Sequence, residues 1–333
     1  MTRPSTPKTL AIAIAALTPV LVTSCTPPPS TPEELEVVLS DFILRPDRTC
    51  EQLRVDFGLE FLPLVDYPDE VGMPFEEQWL PTPDGEELRL WYIPAEQNLG
   101  TVILSNGTVG EIPCYLFLTL ILHENGWSVV MYDYRGFGQS TGVPTLGALL
   151  PDLEVVLDWT LARINHEQVT LYGQSLGSIP SVALAVARPE AVNAVILDSP
   201  VALGAEIAYY DQVLRGKAGA VTAALDPALI TESIISQMHQ PLLVYEHEQD
   251  TLTPAETVEL LFNRAGGLKQ IVRFPCFDHF RGLFYGTDVY AYYLHTFLTQ
   301  VWSGEPPRSL VPAIIEQYRQ AALNGSASGE ASP

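Results

Sequence analysis

The segment Val169-Thr-Leu-Tyr-Gly-Gln-Ser-Leu-Gly-Ser178 constrains the fold of this chain more than any other. The β-branched and apolar run Val169 to Tyr172 meets Gly173-Gln174-Ser175-Leu176-Gly177, and a long alanine-rich apolar stretch comes next. The pattern reads as strand, sharp turn and helix, with a serine at the apex. A side chain on such a turn sits on strained backbone, so its neighbours must be small; glycines stand two residues before and two after Ser175. The turn aims the helix N-terminus at the serine. The Leu176 amide can then donate to an oxyanion, and the helix dipole favours negative charge there. The same residues would also serve as a Gly-rich turn between two core elements, so the context decides.

That context is a repeated exchange of short apolar strands and helical stretches. Glu33 to Leu44 reads as a short helix, and Pro63 to Pro74 as irregular. Phe75 to Leu80 and Glu86 to Ile93 read as strands joined by the turn Pro83-Asp84-Gly85. Thr101 to Ser105 is a buried strand, followed by Asn106-Gly107-Thr108-Val109-Gly110 and an apolar helix over Ile112 to Asn125 that Gly126 stops. Trp127 to Tyr132 is a strand, and Pro151 opens a helix with apolar residues at helical spacing. After the serine turn come strands at Asn193 to Leu197, Leu242 to Tyr245 and Gln270 to Phe274, with helices at Pro254 to Arg264 and Tyr290 to Trp302. Such alternation implies an α/β fold: a mostly parallel, doubly wound sheet with helices on both faces and its chemistry at the carboxyl ends of the strands. Val201 to Gln240 breaks the alternation as a helical insertion, read as a small cap over the site.

The ends of the chain differ from its middle. Arg3 and Lys8 precede an apolar stretch, Leu10 to Val22, too short to span a bilayer comfortably. It ends in Val22-Thr23-Ser24-Cys25, which resembles the bacterial lipoprotein box. The resemblance implies cleavage after residue 24, lipidation of Cys25 and a membrane-anchored exported protein; Thr26, where some lipoproteins carry an aspartate that retains them at the inner membrane, points to the outer membrane. An ordinary secretory signal is the alternative. Residues 25–32 then form a Pro-rich tether, 33–323 the folded domain and 324–333 a disordered tail. A formal charge of -23 argues against a nucleic-acid partner, whose phosphates would be repelled. Beyond Cys25 the chain has Cys50, Cys114 and Cys276. Export permits a disulfide, an odd count leaves one thiol over, and no metal-ligand spacing links them; buried thiols with at most one bridge are expected.

A serine hydroxyl is a poor nucleophile until a base lies within reach, and the base needs a group that fixes its tautomer. Of six histidines, His279 stands in the loop after the last strand, where a base can reach back over the sheet edge. His247 follows a strand but is too near Asp250 in the chain to be its partner. His123, His166, His239 and His295 read as surface or packing residues. For the acid, Asp250 follows one strand and Asp198 ends the preceding one; either could orient His279, and Asp198 could instead bond turn amides through Ser199.

The order Ser175, Asp250, His279 matches the α/β-hydrolase triad. From about Phe75 to Trp302 the chain resembles that superfamily. The matching pieces are Gly-Gln-Ser-Leu-Gly177, the loop Asp133-Tyr-Arg-Gly-Phe-Gly-Gln-Ser140, Leu-Asp-Ser-Pro200, and the acid and histidine segments. It is most similar to the serine-aminopeptidase-like and monoglyceride-lipase-like branch. The resemblance favours Asp250 as the acid and implies hydrolysis of a small acyl ester, thioester or amide through an acyl-enzyme, without a cofactor or metal. By position it assigns the oxyanion donors to the amides of Thr108 and Leu176. Two departures stand out: Asn106-Gly107 where the family has His-Gly, and Glu246-His247 where it has His-Gly before the acid. The expected function is that of an esterase or lysophospholipase. A non-catalytic surface binding lipoprotein is one alternative, and an aminopeptidase or acyltransferase using the same triad is another, with Glu206, Asp211, Asp226 and Glu232 of the cap as possible partners for a substrate ammonium. In each catalytic reading activity falls as acid protonates the histidine.

Overall fold

The computed structural model describes residues 31–56, 58–59, 64–164, 167–209, 211, 214 and 216–304. The expected signal peptide with Cys25, most of the tether, the tail from 324 and His166 lie outside the described residues.

Eight strands form one sheet in the order β1-β2-β4-β3-β5-β6-β7-β8. They are β1 (Glu76–Pro81), β2 (Glu87–Ile93), β3 (Thr101–Ser105), β4 (Ser128–Tyr132), β5 (Val169–Gln174), β6 (Val192–Asp198), β7 (Leu242–His247) and β8 (Lys269–Phe274). β2 runs antiparallel to both its neighbours, and every pairing from β4 through β8 is parallel. The central strands are buried on both faces, which is why they read as unbroken apolar runs rather than alternating ones.

The period of two along each strand divides the interior into two cores. Ile103, Leu171, Val195, Leu197 and Val244 face the core closed by helices Leu149–Arg163, Ser178–Ala187 and Ala255–Arg264. Val102, Leu104, Tyr172, Ile196 and Tyr245 face the other, closed by Leu116–Glu124 and Thr287–Trp302. The parallel register brings the carboxyl ends level: Ser105 pairs with Gly173, Gln174 with Asp198, Asp198 with Tyr245 and His247 with Phe274. The side chains just beyond these residues therefore share one edge.

Several boundaries differ from expectation for physical reasons. The stretch Ile112 to Asn125 splits into a 3₁₀ turn, Ile112–Tyr115, and the helix Leu116–Glu124, because Pro113 and the fixed Asp133 carboxylate define a separate first turn. The helix assigned to Pro151 begins at Leu149, leaving the proline in the first turn, where no amide is required of it. β7 extends two residues further and takes in Glu246 and His247, so His247 is a fully buried strand residue rather than a loop one. The segment 201–240 carries helices Leu203–Tyr209, Ala218–Ala224 and Thr231–Ile234, whose Leu203, Ile207 and Val221 join the first core together with Leu229.

An N-terminal arm lies across one end of this frame. Thr31 caps the helix Pro32–Ile43 in a reciprocal box with Glu34. Leu39 and Leu44 enter the first core, and the helix packs against Ala218–Ala224. A second helix, Cys50–Asp56, is joined to the 3₁₀ turn by a Cys50–Cys114 disulfide. This agrees with the expectation of at most one bridge. The third thiol, Cys276, is exposed, not buried, because it lies in the turn beyond β8 rather than in a core element.

Candidate active site

The turn after β5 has the strain its sequence implies. Ser175 is held at φ +50°, a left-handed conformation uncommon for a residue with a side chain. Both flanking glycines are required by contact. A Cβ on Gly177 would run into the carbonyl oxygen of Ser105, and one on Gly173 into the backbone of Gly177 and Ser178. A 3₁₀ turn over Ser175–Gly177 leads directly into the helix Ser178–Ala187. Ser178 ties the turn to the segment beyond β6: its hydroxyl donates to the Ser175 carbonyl at 2.6 Å and accepts the Val201 amide at 2.9 Å.

The loop after β3 is braced against this turn. Gly107 lies so close to the Gln174 side chain that a Cβ would overlap it. Tyr115 spans Thr108, its hydroxyl accepting the Gly107 amide at 3.2 Å and donating to the Val109 carbonyl at 2.8 Å. Tyr134 donates to the Asn106 carbonyl at 2.9 Å. The N-terminal arm holds Thr108 itself: the Arg45 amide donates to its carbonyl at 3.0 Å, and its hydroxyl donates to the Ile43 carbonyl. Asp133 accepts the Ile112 amide at 2.8 Å and so fixes the far end of the loop. The loop is thus positioned by tyrosines and by the arm, with Asn106 where the family pattern has histidine.

On the other side, His279 Nδ1 lies 2.8 Å from Asp250 Oδ2. Asp250 sits in a turn that satisfies it further, with the amides of Leu252 and Thr253 on Oδ1 and the Thr253 hydroxyl, at 2.6 Å, on Oδ2. Burial alone would raise its pKa. His279 and these donors outweigh burial and hold the carboxyl at about 2. An ionised carboxylate only accepts, so His279 donates to it from Nδ1.

Asp198 has other partners. Its Oδ2 accepts the hydroxyls of Tyr172 at 3.1 Å and Tyr290 at 2.6 Å, and those two hydroxyls also bond to each other. Burial raises Asp198 to about 6, partly opposed by the two tyrosines. Its carboxylate does not take turn amides at Ser199, the alternative open to it from sequence; Ser199 instead lies 3.1 Å from His247 Nδ1. Of the cap carboxylates, Asp211 accepts the Ala218 amide, Asp226 the Ala228 amide and Glu232 the Ala205 amide.

Sequence reasoning missed Tyr115, Tyr134, Ser178, Ser199 and Thr253. Only Thr253 carried a local signal, since a hydroxyl three residues after an aspartate is a common turn closure. Tyr134 and Ser199 act across long chain separations, whereas Tyr115 reaches partners six and eight residues away and Ser178 one three residues away.

The family described as "Serine aminopeptidase, S33" matches residues 96–253. The protein YfhR of Escherichia coli O157:H7 is 31% identical over 205 residues, covering 59% of this chain and 70% of its own. Among solved structures, the Pyrococcus furiosus esterase Pf2001 superposes with a TM-score of 0.59 at 18% identity, covering 72% of this chain and 97% of the esterase. Est1E from Butyrivibrio proteoclasticus, solved with bound ferulic acid, superposes with a TM-score of 0.56 at 16% identity, over 68% of this chain and 99% of its own.

Proposed function

Because this chain belongs to the α/β-hydrolase superfamily, we propose that it is a serine hydrolase that cleaves carboxylic esters through an acyl-enzyme. Ser175 is the nucleophile, His279 the general base and acid, and Asp250 the group that orients the histidine. The amides of Thr108 and Leu176 hold the oxyanion. In the first step Ser175 Oγ bonds to the acyl carbon while His279 Nε2 takes its proton. That proton passes to the departing alkoxide, and the alcohol leaves. Water then attacks the acyl-enzyme, giving a proton to His279, and the acid departs as Ser175 recovers its hydrogen. What supports this reading is a strained serine at the end of β5 and, in the same structure, a buried hydrogen bond between His279 Nδ1 and Asp250 Oδ2.

The test is a fluorophosphonate probe together with short p-nitrophenyl esters. Labelling and turnover should both vanish in Ser175→Ala. Equal labelling of the variant would remove the reading, and an absence of turnover in the wild-type protein would favour a surface binding role.

The aminopeptidase alternative uses the same triad. Three of the cap carboxylates, Asp211, Asp226 and Glu232, each accept a cap amide at one oxygen, which gives them a structural role in the insertion. Rates on acyl esters against aminoacyl amides separate the two. We further propose that the protein is exported and tethered through Cys25. The Cys50–Cys114 disulfide supports an oxidising location. Labelling of cells with an alkyne fatty acid should mark the protein, and Cys25→Ala should abolish that mark.

A further inference from the structure

A second cluster of serine, histidine and aspartate lies sealed behind His279. Ser199 follows β6 at φ +49°, and its amide donates to the Tyr245 carbonyl at 3.1 Å, so it is anchored on β7. Its Oγ accepts the amide of Phe280 at 3.4 Å. Phe280 is the residue after His279 and is itself left-handed, at φ +45°. His247, the last residue of β7, stacks on Phe274 with ring centroids 5.2 Å apart. Its Nδ1 lies 3.1 Å from Ser199 Oγ and 3.6 Å from Asp198 Oδ1. Gly282 closes over the ring so tightly that a Cβ there would stand 2.6 Å from Nε2.

Burial holds His247 down to about 3, so its imidazole is neutral and has one hydrogen to place. Ser199 Oγ accepts from Phe280 and bonds to His247 Nδ1, so a hydrogen-bonded chain runs from the Phe280 amide through Ser199 Oγ to His247. The chain ties the backbone beside His279 to the end of β7, while Asp250 holds the ring of His279 on its other side.

We propose that Ser199 and His247 are positioning residues that fix His279 through the Phe280 amide. The proposal rests on His279 acting as the base in the reaction above. It also gives a role to a departure from the family pattern: a histidine where that pattern has glycine supplies a hydrogen-bond partner from within the sheet, and the hydroxyl next to Asp198 couples it to the loop.

Ser199→Gly is the informative variant, because glycine accepts the left-handed backbone and only the hydroxyl is lost. His247→Leu removes the ring nitrogen that bonds Ser199, and His247→Asn restores a polar group near the place of Nδ1. Two readouts are needed: kcat and KM on a short p-nitrophenyl ester, and the far-downfield proton NMR signal of His279 Nδ1–H, assigned by its loss in Asp250→Asn. Ser199→Gly and His247→Leu should lower kcat about tenfold while KM stays within about twofold, as expected when a base is displaced without loss of binding. The His279 signal should broaden in both, and His247→Asn should recover most of the lost kcat. Wild-type kcat with an unbroadened signal in Ser199→Gly would overturn the proposal. So would parallel losses in kcat and KM alongside a lowered melting temperature, which would mark a structural role. Should the wild-type protein and Ser175→Ala hydrolyse the ester alike, the hydrolase reading fails instead, and the NMR signal still reports whether Ser199 holds His279.

Discussion

Asp250 Oδ2 lies 2.8 Å from His279 Nδ1, while Asp198, one strand nearer the centre of the sheet, turns its carboxylate to Tyr172 and Tyr290. The two aspartates should therefore separate cleanly on substitution. Asp250→Asn should lower kcat on the order of 10³-fold, because an amide can stabilise the wrong histidine tautomer. Asp198→Asn should cost about tenfold or less. Steady-state rates on one ester decide it, and a reversed order would transfer the orienting role to Asp198.

The strain at Ser175 predicts a trade between activity and stability. Ser175→Gly and Ser175→Ala should both be inactive, but the glycine variant should be more stable than the alanine variant by about 1 kcal/mol, since only glycine adopts φ +50° freely. Gly177→Ala should do the opposite and destabilise by about 3 kcal/mol or more, because its Cβ meets a carbonyl oxygen that cannot move aside. Denaturant melts of the three variants measure this.

These two expectations mark what the residues alone disclosed. Glycine spacing around Ser175 and the strand before it are local features, and local features survive in a linear sequence; the order Ser175, Asp250, His279 is legible only as a resemblance to the family's order. The choice between Asp198 and Asp250 was not local. It depended on Tyr172 and Tyr290, which reach Asp198 from a neighbouring strand and from the last helix. The brace on the Thr108 loop was hidden for the same reason: Arg45 and Tyr134 meet it only after the chain has folded. His247 was misplaced by two residues of strand length, and that shift moved it from a loop to the interior.

Buried carboxylates predict a pH dependence of stability. Asp198 is raised to about 6 and Asp133 to about 7, in both cases first by burial. Each takes up a proton on folding between its unfolded value, about 4, and its folded one. Stability should therefore decline as pH rises from about 4 to about 7. Asp250, held at about 2, acts in the reverse sense: its contribution is complete above about 4 and is lost as pH falls toward 2. Asp198→Asn should flatten part of the upper decline, by about 3 kcal/mol at most for a shift of this size. Unfolding midpoints measured across that range test the sign. A wild-type curve that rises through pH 6 would contradict it.

The disulfide closes a long loop, since Cys50 and Cys114 stand 64 positions apart in the chain. Reduction, or Cys50→Ser, should cost about 2–4 kcal/mol. It should also lower kcat, because Cys114 lies just beyond the loop that carries Thr108. Melting curves and ester turnover with and without reductant would show both effects together.

The family match begins at residue 96, yet the loop at Thr108 is held from residues 43, 45 and 50. A chain shortened to begin at the first strand would retain all eight strands, the strained serine and the His279–Asp250 pair. It would lose the Arg45 amide, the Ile43 carbonyl and half of the disulfide. Such a fragment would keep Ser175 and the His279–Asp250 pair in place and leave the Thr108 loop unsupported, and a weak activity in it would describe the truncation rather than the intact chain.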